Sequence, residues 1–433
     1  MTLLQRLRGL RMDTTPFRES RDFRLLLVAG TVFAFGSMIT YVAIPYQVYK
    51  LTDSNFMVGL VGAVELVPLI VFGLWGGALA DHLDRRRLLV LYGIAQAVIV
   101  AGLALNSFVG EPRLWVLFVL AVLLTSTSSL QRPAREALMP RTVKHEQIAA
   151  AQALTSLGSQ MGVLAGPLLG GVLIAWVGTG WCFVVDACGL VLATLMYVAM
   201  RAYPHTTATT PPSIASIMEG VRYGVGRRDL LGTYTVDIAS MLLAMPVVLF
   251  PAMAEEVFAA PERLGLLYAA GTIGAVLATA TSGWIGSVHR HGAAITVSAA
   301  LYGAMVALAG LSPSFWLAFV FLALAGATDM VSAIFRGTVW NQTIPENMRG
   351  RLAGIEMLSY SFGPRAGQVR GGFVADAWNV RGAVVSGGLA CVVGVAATAA
   401  ALRTFWSYDA RTDEHAVAER AARAAHDDVR AGI

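Results

Sequence analysis

Glu65, Asp237, Asp329, Arg365 and Arg370 are ionisable residues set inside otherwise apolar stretches of this sequence. At membrane depth such a group costs about 2.5–3.5 kcal/mol to insert, so each marks a place where charge is put to use. A carboxylate can carry a proton, a guanidinium can hold an anion, and the two together can form an internal ion pair. Glu65 lies about nine residues, or ~13 Å, from the outer end of its stretch. Asp237 and Asp329 lie at similar depth from the opposite face. No His falls inside any apolar stretch, so protons moving through this chain would have to ride on carboxylates. Asp237, Asp329 and Glu65 are therefore the candidate proton-coupling residues, with a packing ion pair as the open alternative for each.

Arg365 and Arg370 are five residues apart, which is ~500° of helix and leaves them ~140° apart. They cannot both point into one environment: Arg365 stands opposite the face of Gly363, Gly367 and Gly371, and Arg370 borders that face. With Gln47 and Tyr41 they are the candidate substrate-binding residues, and anion recognition and an internal salt bridge are both open for Arg365. The hydroxyls of Thr125-Ser-Thr-Ser-Ser129 can contact a ligand or bond their own helix's carbonyls. Cys182, Cys188 and Cys391 lie in apolar runs without metal-ligand spacing, so no metal, no cofactor and no enzyme activity is expected. Lys50 and Lys144 are the only lysines, and neither ends a glycine-rich turn, which excludes ATP hydrolysis by this chain.

These residues need elements that hold charge inside lipid. The 433 residues are 56% hydrophobic and 14% charged, with a mean hydropathy of +0.64. That is far outside soluble usage. Twelve runs are long enough to cross a hydrocarbon core of ~30 Å: 25–49, 56–80, 88–109, 114–131, 148–177, 181–200, 230–254, 264–286, 292–312, 315–335, 352–374 and 382–402. They are too long and unbroken for the alternating strands of a barrel, so the expected class is an all-α membrane protein. Of 32 Lys and Arg, 26 lie in the N-terminus, the even-numbered loops and the C-terminus, and only Lys50, Arg113, Arg263 and Arg381 lie on the opposite side. Both termini of a multi-pass membrane protein are thus expected in the cytoplasm. The net charge of +5 is scattered rather than gathered, so no nucleic-acid partner is expected. The first 24 residues hold six Arg and no apolar run, so no cleavable signal peptide is expected.

The second half repeats the first. A shift of 206 places Gly59 on Gly265 and Gly77 on Gly283; a shift of 205 places Gly158, Gly162 and Gly166 on Gly363, Gly367 and Gly371, and Pro140 on Pro345. The expected organisation is a cytoplasmic N-terminus (1–24), a six-helix bundle (25–200), a linker with an amphipathic helix (201–229), a second six-helix bundle (230–402) and a cytoplasmic tail (403–433). Pro45, Pro68, Pro246, Pro251 and Pro364 are candidate bend points.

Between the second and third runs stands Gly-Gly-Ala-Leu-Ala-Asp-His-Leu-Asp-Arg-Arg-Arg, residues 76–87. Gly77, Leu79, Asp81, Arg85 and Arg86 resemble the loop signature of the major facilitator superfamily, although Asp84 stands where that pattern usually has its second glycine. The resemblance implies that Gly77, Asp81, Arg85 and Arg86 form a gating motif on the cytoplasmic side. In the fifth run Gly162, Gly166, Pro167, Gly170 and Gly171 resemble the helix motif of drug–proton antiporters in the same superfamily. The chain is most similar to the branch that contains the enterobactin exporter, through Leu264-Gly-Leu-Leu-Tyr-Ala-Ala270, Thr281-Ser-Gly283 and Pro345-Glu-Asn-Met-Arg-Gly-Arg351.

The resemblance implies two six-helix bundles in the major facilitator fold and a secondary transporter working as a monomer in a lipid bilayer. It implies proton-coupled export of a siderophore or an amphipathic drug by alternating access. Multidrug or macrolide efflux without a siderophore, and nutrient uptake, are the alternatives.

Overall fold

The computed structural model describes residues 13–82, 84–201, 222–224 and 226–421, and within these leaves out the side chains of 74–82, 228, 346–351 and 353–360. Among the described residues there are twelve long helices: α1 Arg21–Thr52, α2 Asn55–His82, α3 Arg85–Phe108, α4 Leu114–Leu138, α5 Ile148–Val177, α6 Thr179–Ala199, α7 Arg228–Leu243, α8 Leu264–Ala280, α9 His291–Leu311, α10 Phe315–Thr343, α11 Glu346–Ala377 and α12 Val380–Ala401. Among the described residues eleven helices are long and apolar enough to cross a membrane. The remaining one, α11, has 32 residues but carries Glu346, Arg349, Arg351, Glu356, Arg365, Arg370 and Asp376, so its charge lowers its hydropathy rather than its length. No strand occurs among the described residues. The expected amphipathic segment of the linker, 214–221, lies outside the described residues.

The chain gathers into two compact units, Met1–Gln47 with Val67–Pro211 and Val48–Leu66 with Pro212–Ile433. The chain passes between units within α1 and α2, close to Pro45 and Pro68, the prolines inside those two helices. A proline removes one backbone donor from the helical ladder, which suits a site where the chain leaves one packed body for another.

Each unit is held by glycine faces. In the first, Gly158, Gly162, Gly166 and Gly170 of α5 press on α1, and a Cβ on Gly162 would stand 2.6 Å from Ala34 Cβ and 2.8 Å from the Ala34 carbonyl carbon. In the second, Gly363, Gly367 and Gly371 of α11 press in the same way on α7 and the segment that follows it, with a Cβ on Gly367 3.0 Å from Met245 Cβ. Without a hydrophobic drive between helices in lipid, this close backbone approach supplies the packing attraction. Gly274 of α8 and Gly326 of α10 join their helices similarly.

Large apolar side chains such as Val98, Leu105, Leu277 and Val393 are exposed, as expected where lipid is the solvent. In the first unit Trp115, Trp176 and Trp181 are exposed at the ends of α4, α5 and α6, and in the second Trp316 and Trp378 are exposed at the ends of α10 and α11. These are the positions of an interfacial aromatic belt. Outside the spans the short helix Thr15–Glu19 is tied to the start of α5, where Glu19 accepts from Gln147 (2.9 Å) and Lys144 (3.2 Å). Those bonds, Gln147's first, hold its carboxyl below the usual carboxylate range.

Candidate functional site

In the second unit α7 breaks after Leu243, and Val247–Leu249 continues as a 3₁₀ turn beyond Pro246. The freed carbonyls find partners: Ala244 accepts from Tyr302 Oη at 2.8 Å and Leu242 accepts from Arg370 Nε at 3.1 Å. Arg370 thus closes the broken end of α7 and lies against Gly387 of α12. Its charge meets the negative end of a helix, the favourable arrangement.

One turn and a half below that break, Asp237 is 4% exposed and pairs with Arg336 of α10 at 2.8 Å. Arg336 also donates to Ser332 Oγ at 3.0 Å. Asp329, Ser332 and Arg336 share one face of α10, because offsets of three and seven residues return close to the starting direction. The Asp329 carboxyl interacts electrostatically with both Arg336 and Asp237. Two carboxylates therefore face a single guanidinium within the spans.

Arg365 Nη2 donates to Glu65 Oε2 at 3.3 Å, both side chains about one-fifth exposed. Their helices meet through Gly59 and Gly62 of α2, which lie against Gln368 of α11. Further along this contact Asp376 of α11 caps α2, accepting from Asn55 N (2.8 Å), Phe56 N (3.0 Å), Ser54 Oγ (2.6 Å) and Asn55 Nδ2 (3.2 Å). Lys50 pairs with Glu255 at 2.8 Å and Tyr49 bonds Glu256 in the same unit.

In the first unit Gln47 is buried and accepts from Ser107 Oγ at 2.9 Å, whereas Tyr41 is exposed. Ser126, Thr127 and Ser128 bond carbonyls of their own helix. Gly162, Gly166 and Gly170 form the packing face on α1 described above, and Pro167 and Gly171 are buried beside them. In the loop motif Arg85 donates to Ala137 O at 3.1 Å and Arg86 donates to Tyr197 O at 3.1 Å, fixing the start of α3 to the ends of α4 and α6. Asp84 has φ −60° and caps α3 by accepting from Arg86 N (2.9 Å) and Arg87 N (3.2 Å). No left-handed backbone is needed there, so an aspartate serves where the superfamily pattern has glycine. Gly77 and Asp81 fall in the stretch 74–82, whose side chains are not described.

Three residues escaped the sequence reading. Arg336 falls one position beyond the apolar run 315–335, and its seven-residue offset from Asp329 was the available signal. Asp186 of α6 lies inside an apolar run, is 2% exposed and accepts from Thr40 Oγ1 at 2.5 Å. Arg135 of α4 lies past the end of the run 114–131, in the last turn of a helix that continues to Leu138.

Residues 12–430 match the family described as transmembrane secretion effector. The enterobactin exporter EntS of Citrobacter koseri is 29% identical over 379 residues, covering 86% of this chain and 90% of the relative. The exporter of the same name from Shigella boydii serotype 18 matches equally, at 29% over 379 residues. Among solved structures, a bacterial homolog of the human lysosomal transporter Spinster, inward-facing and unoccupied, superposes with a TM-score of 0.69 at 15% identity, covering 94% of this chain and 98% of that one. A POT family transporter gives 0.71 at 11% identity, covering 92% and 99%, and the nucleoside transporter NupG gives 0.69 at 12%, covering 90% and 100%. These similarities carry the fold, and the family match carries membership. The chain belongs to the major facilitator superfamily, within the transmembrane secretion effector family, and is a multi-pass membrane transporter of small molecules.

Proposed function

We propose that this transporter exports an organic small molecule of the siderophore class, driven by protons and working by alternating access as a monomer in a bacterial cytoplasmic membrane, with both termini in the cytoplasm. The observation that carries the proton-coupled part is the Asp237–Arg336 pair at 2.8 Å with Asp329 on the same face of α10. Either carboxylate can hold Arg336 while the other holds the proton, so loading and release of one proton exchanges the partner of the guanidinium. That exchange couples protonation to the packing of α7, whose break at Leu243 lies on the same helix. The direction of transport and the siderophore class are supported by the similarity to enterobactin exporters, which match over most of both chains. Arg365 paired with Glu65, and Arg370 at the broken end of α7, act as internal charge compensation in this scheme.

The test is proton-driven efflux in proteoliposomes with an imposed pH gradient. Asp329→Asn should abolish gradient-driven transport while leaving expression and counterflow exchange of substrate intact. Unchanged dependence of transport on the gradient in that variant would remove Asp329 from coupling.

A further inference from the structure

Helices α1, α4 and α5 of the first unit line an open cavity of about 720 Å³, a volume suited to a drug-sized organic molecule. Its walls are unequal. The α1 wall is mainly apolar and includes Phe33, while α5 presents Gln152, Ser156, Ser159 and Gln160 along one stripe. That stripe lies beside the glycine face that packs α5 on α1, so helix packing itself turns the polar groups to the cavity. The third wall, from α4, brings charge: Arg132, Arg135 and Glu136. Glu136 is engaged by Arg132 at 2.9 Å. Arg135 makes no ion pair among the described residues; its guanidinium lies over the Phe33 ring, 5.1 Å from the centroid, with the Tyr197 hydroxyl as another neutral neighbour. The lining is left with one positive charge that no carboxylate answers.

An arginine held over an aromatic face is partly desolvated and attracted by the ring, and its remaining N–H groups can donate to an anion. A planar anion can pack beside the Phe33 ring and accept two parallel hydrogen bonds from the guanidinium. The neutral amides and hydroxyls of α5 supply donors and acceptors opposite. We propose that this cavity binds an aromatic organic anion, with Arg135 as its charge partner, Phe33 as its stacking floor and Gln160 among the polar groups that orient it. The proposal rests on the transport function argued above and names the substrate class for that function. It makes Arg135 a specificity-determining residue, whereas Arg365 is engaged by Glu65.

The experiment uses the full-length protein purified in detergent, without any gradient, and two probes that share a tricyclic ring system. Fluorescein is anionic and rhodamine 123 is cationic; binding of each is followed by fluorescence anisotropy. Wild-type protein should bind fluorescein more tightly than rhodamine 123. Arg135→Gln should weaken fluorescein at least tenfold and leave rhodamine 123 unchanged or tighter, while Arg135→Lys should retain most of the preference for the anion. Ser159→Trp, which fills the cavity without touching the charge, should weaken both probes and carries the test if Arg135→Gln does not yield monodisperse protein. Absence of fluorescein binding by wild type, or equal fluorescein affinity in wild type, Arg135→Gln and Ser159→Trp, overturns the proposal. Asp329→Asn should bind fluorescein as wild type does, so failure of proton coupling and failure of this site are read separately.

Discussion

Removing one partner of the Asp237–Arg336 pair should be far more damaging than removing both. The two side chains are 5% and 10% exposed and meet at 2.8 Å, so water cannot replace a lost partner. Arg336→Gln removes the guanidinium from the buried Asp237 carboxylate, a loss of about 3–5 kcal/mol for a buried pair broken on one side. With each kcal/mol worth about 2–4 °C in a unit of this size, the apparent midpoint should fall by about 6–20 °C. Asp237→Asn alone strands the guanidinium, which retains Ser332 Oγ at 3.0 Å and the nearby Asp329 carboxyl, and should cost less. The double variant replaces a charged pair by two amides that can bond one another and should regain much of the loss. The coupling free energy should be about 1.5–3 kcal/mol. The assay is a double-mutant cycle of apparent unfolding midpoints, scanned at one rate on purified protein in one detergent. Additive effects in the double variant would refute the claim that these residues stabilise each other.

Other outcomes follow from contacts elsewhere. Asp376→Ala should release the start of α2, with amide exchange at Asn55 and Phe56 rising by the equivalent of about 1 kcal/mol; unchanged exchange there would show that the four bonds to Asp376 do not hold the helix end. Gly274→Ala puts a methyl group 2.6 Å from the Ala323 carbonyl carbon and 2.9 Å from Ala327 N, and should destabilise by about 1–3 kcal/mol in a thermal scan. Gly283→Ala, with nothing within 4 Å, should not, although the internal repeat aligns Gly283 with Gly77. Asp84→Gly should cost only a few tenths of a kcal/mol and Asp84→Ala about 1 kcal/mol, since the residue acts as a cap at φ −60°; the reverse order in melting temperature would contradict that role.

What could be read from the sequence was whatever depends on period and composition. Twelve apolar runs announce twelve helices because lipid forbids an unpaired backbone, and α11 was visible despite its charges because its apolar positions still span the required length. The repeated glycines became two equivalent contacts, α5 on α1 and α11 on α7, since spacing by four aligns them on one face whatever lies opposite. Pro246 marks the break in α7. The charge partners were hidden because pairing depends on which helices touch. Arg336 sits beyond the uncharged run by one residue, yet α10 continues to Thr343 and carries it to Asp237. Arg135 likewise reads as one more basic residue near a cytoplasmic end until the α4 helix is seen to place it over Phe33.

The two halves keep the same packing and differ in where they carry charge. The repeat aligns Arg365 with Gln160 and Arg370 with Ala165. In the second unit Arg365 is engaged by Glu65, and Arg370 closes the broken end of α7. At the equivalent places in the first unit, the neutral Gln160 lines a cavity and Ala165 leaves no guanidinium to occupy a helix end. α1, the repeat counterpart of α7, accordingly runs unbroken from Arg21 to Thr52 with Pro45 inside it. A break that exposes carbonyls is sustainable in α7 because Arg370 and Tyr302 satisfy them, whereas the repeat places Ala165 at the position of Arg370 beside the unbroken α1. Charge was therefore placed where a helix is interrupted and where, on the proposed function, two carboxylates exchange a proton, while the duplicated scaffold retained a neutral polar wall where, on the same reading, a substrate is held.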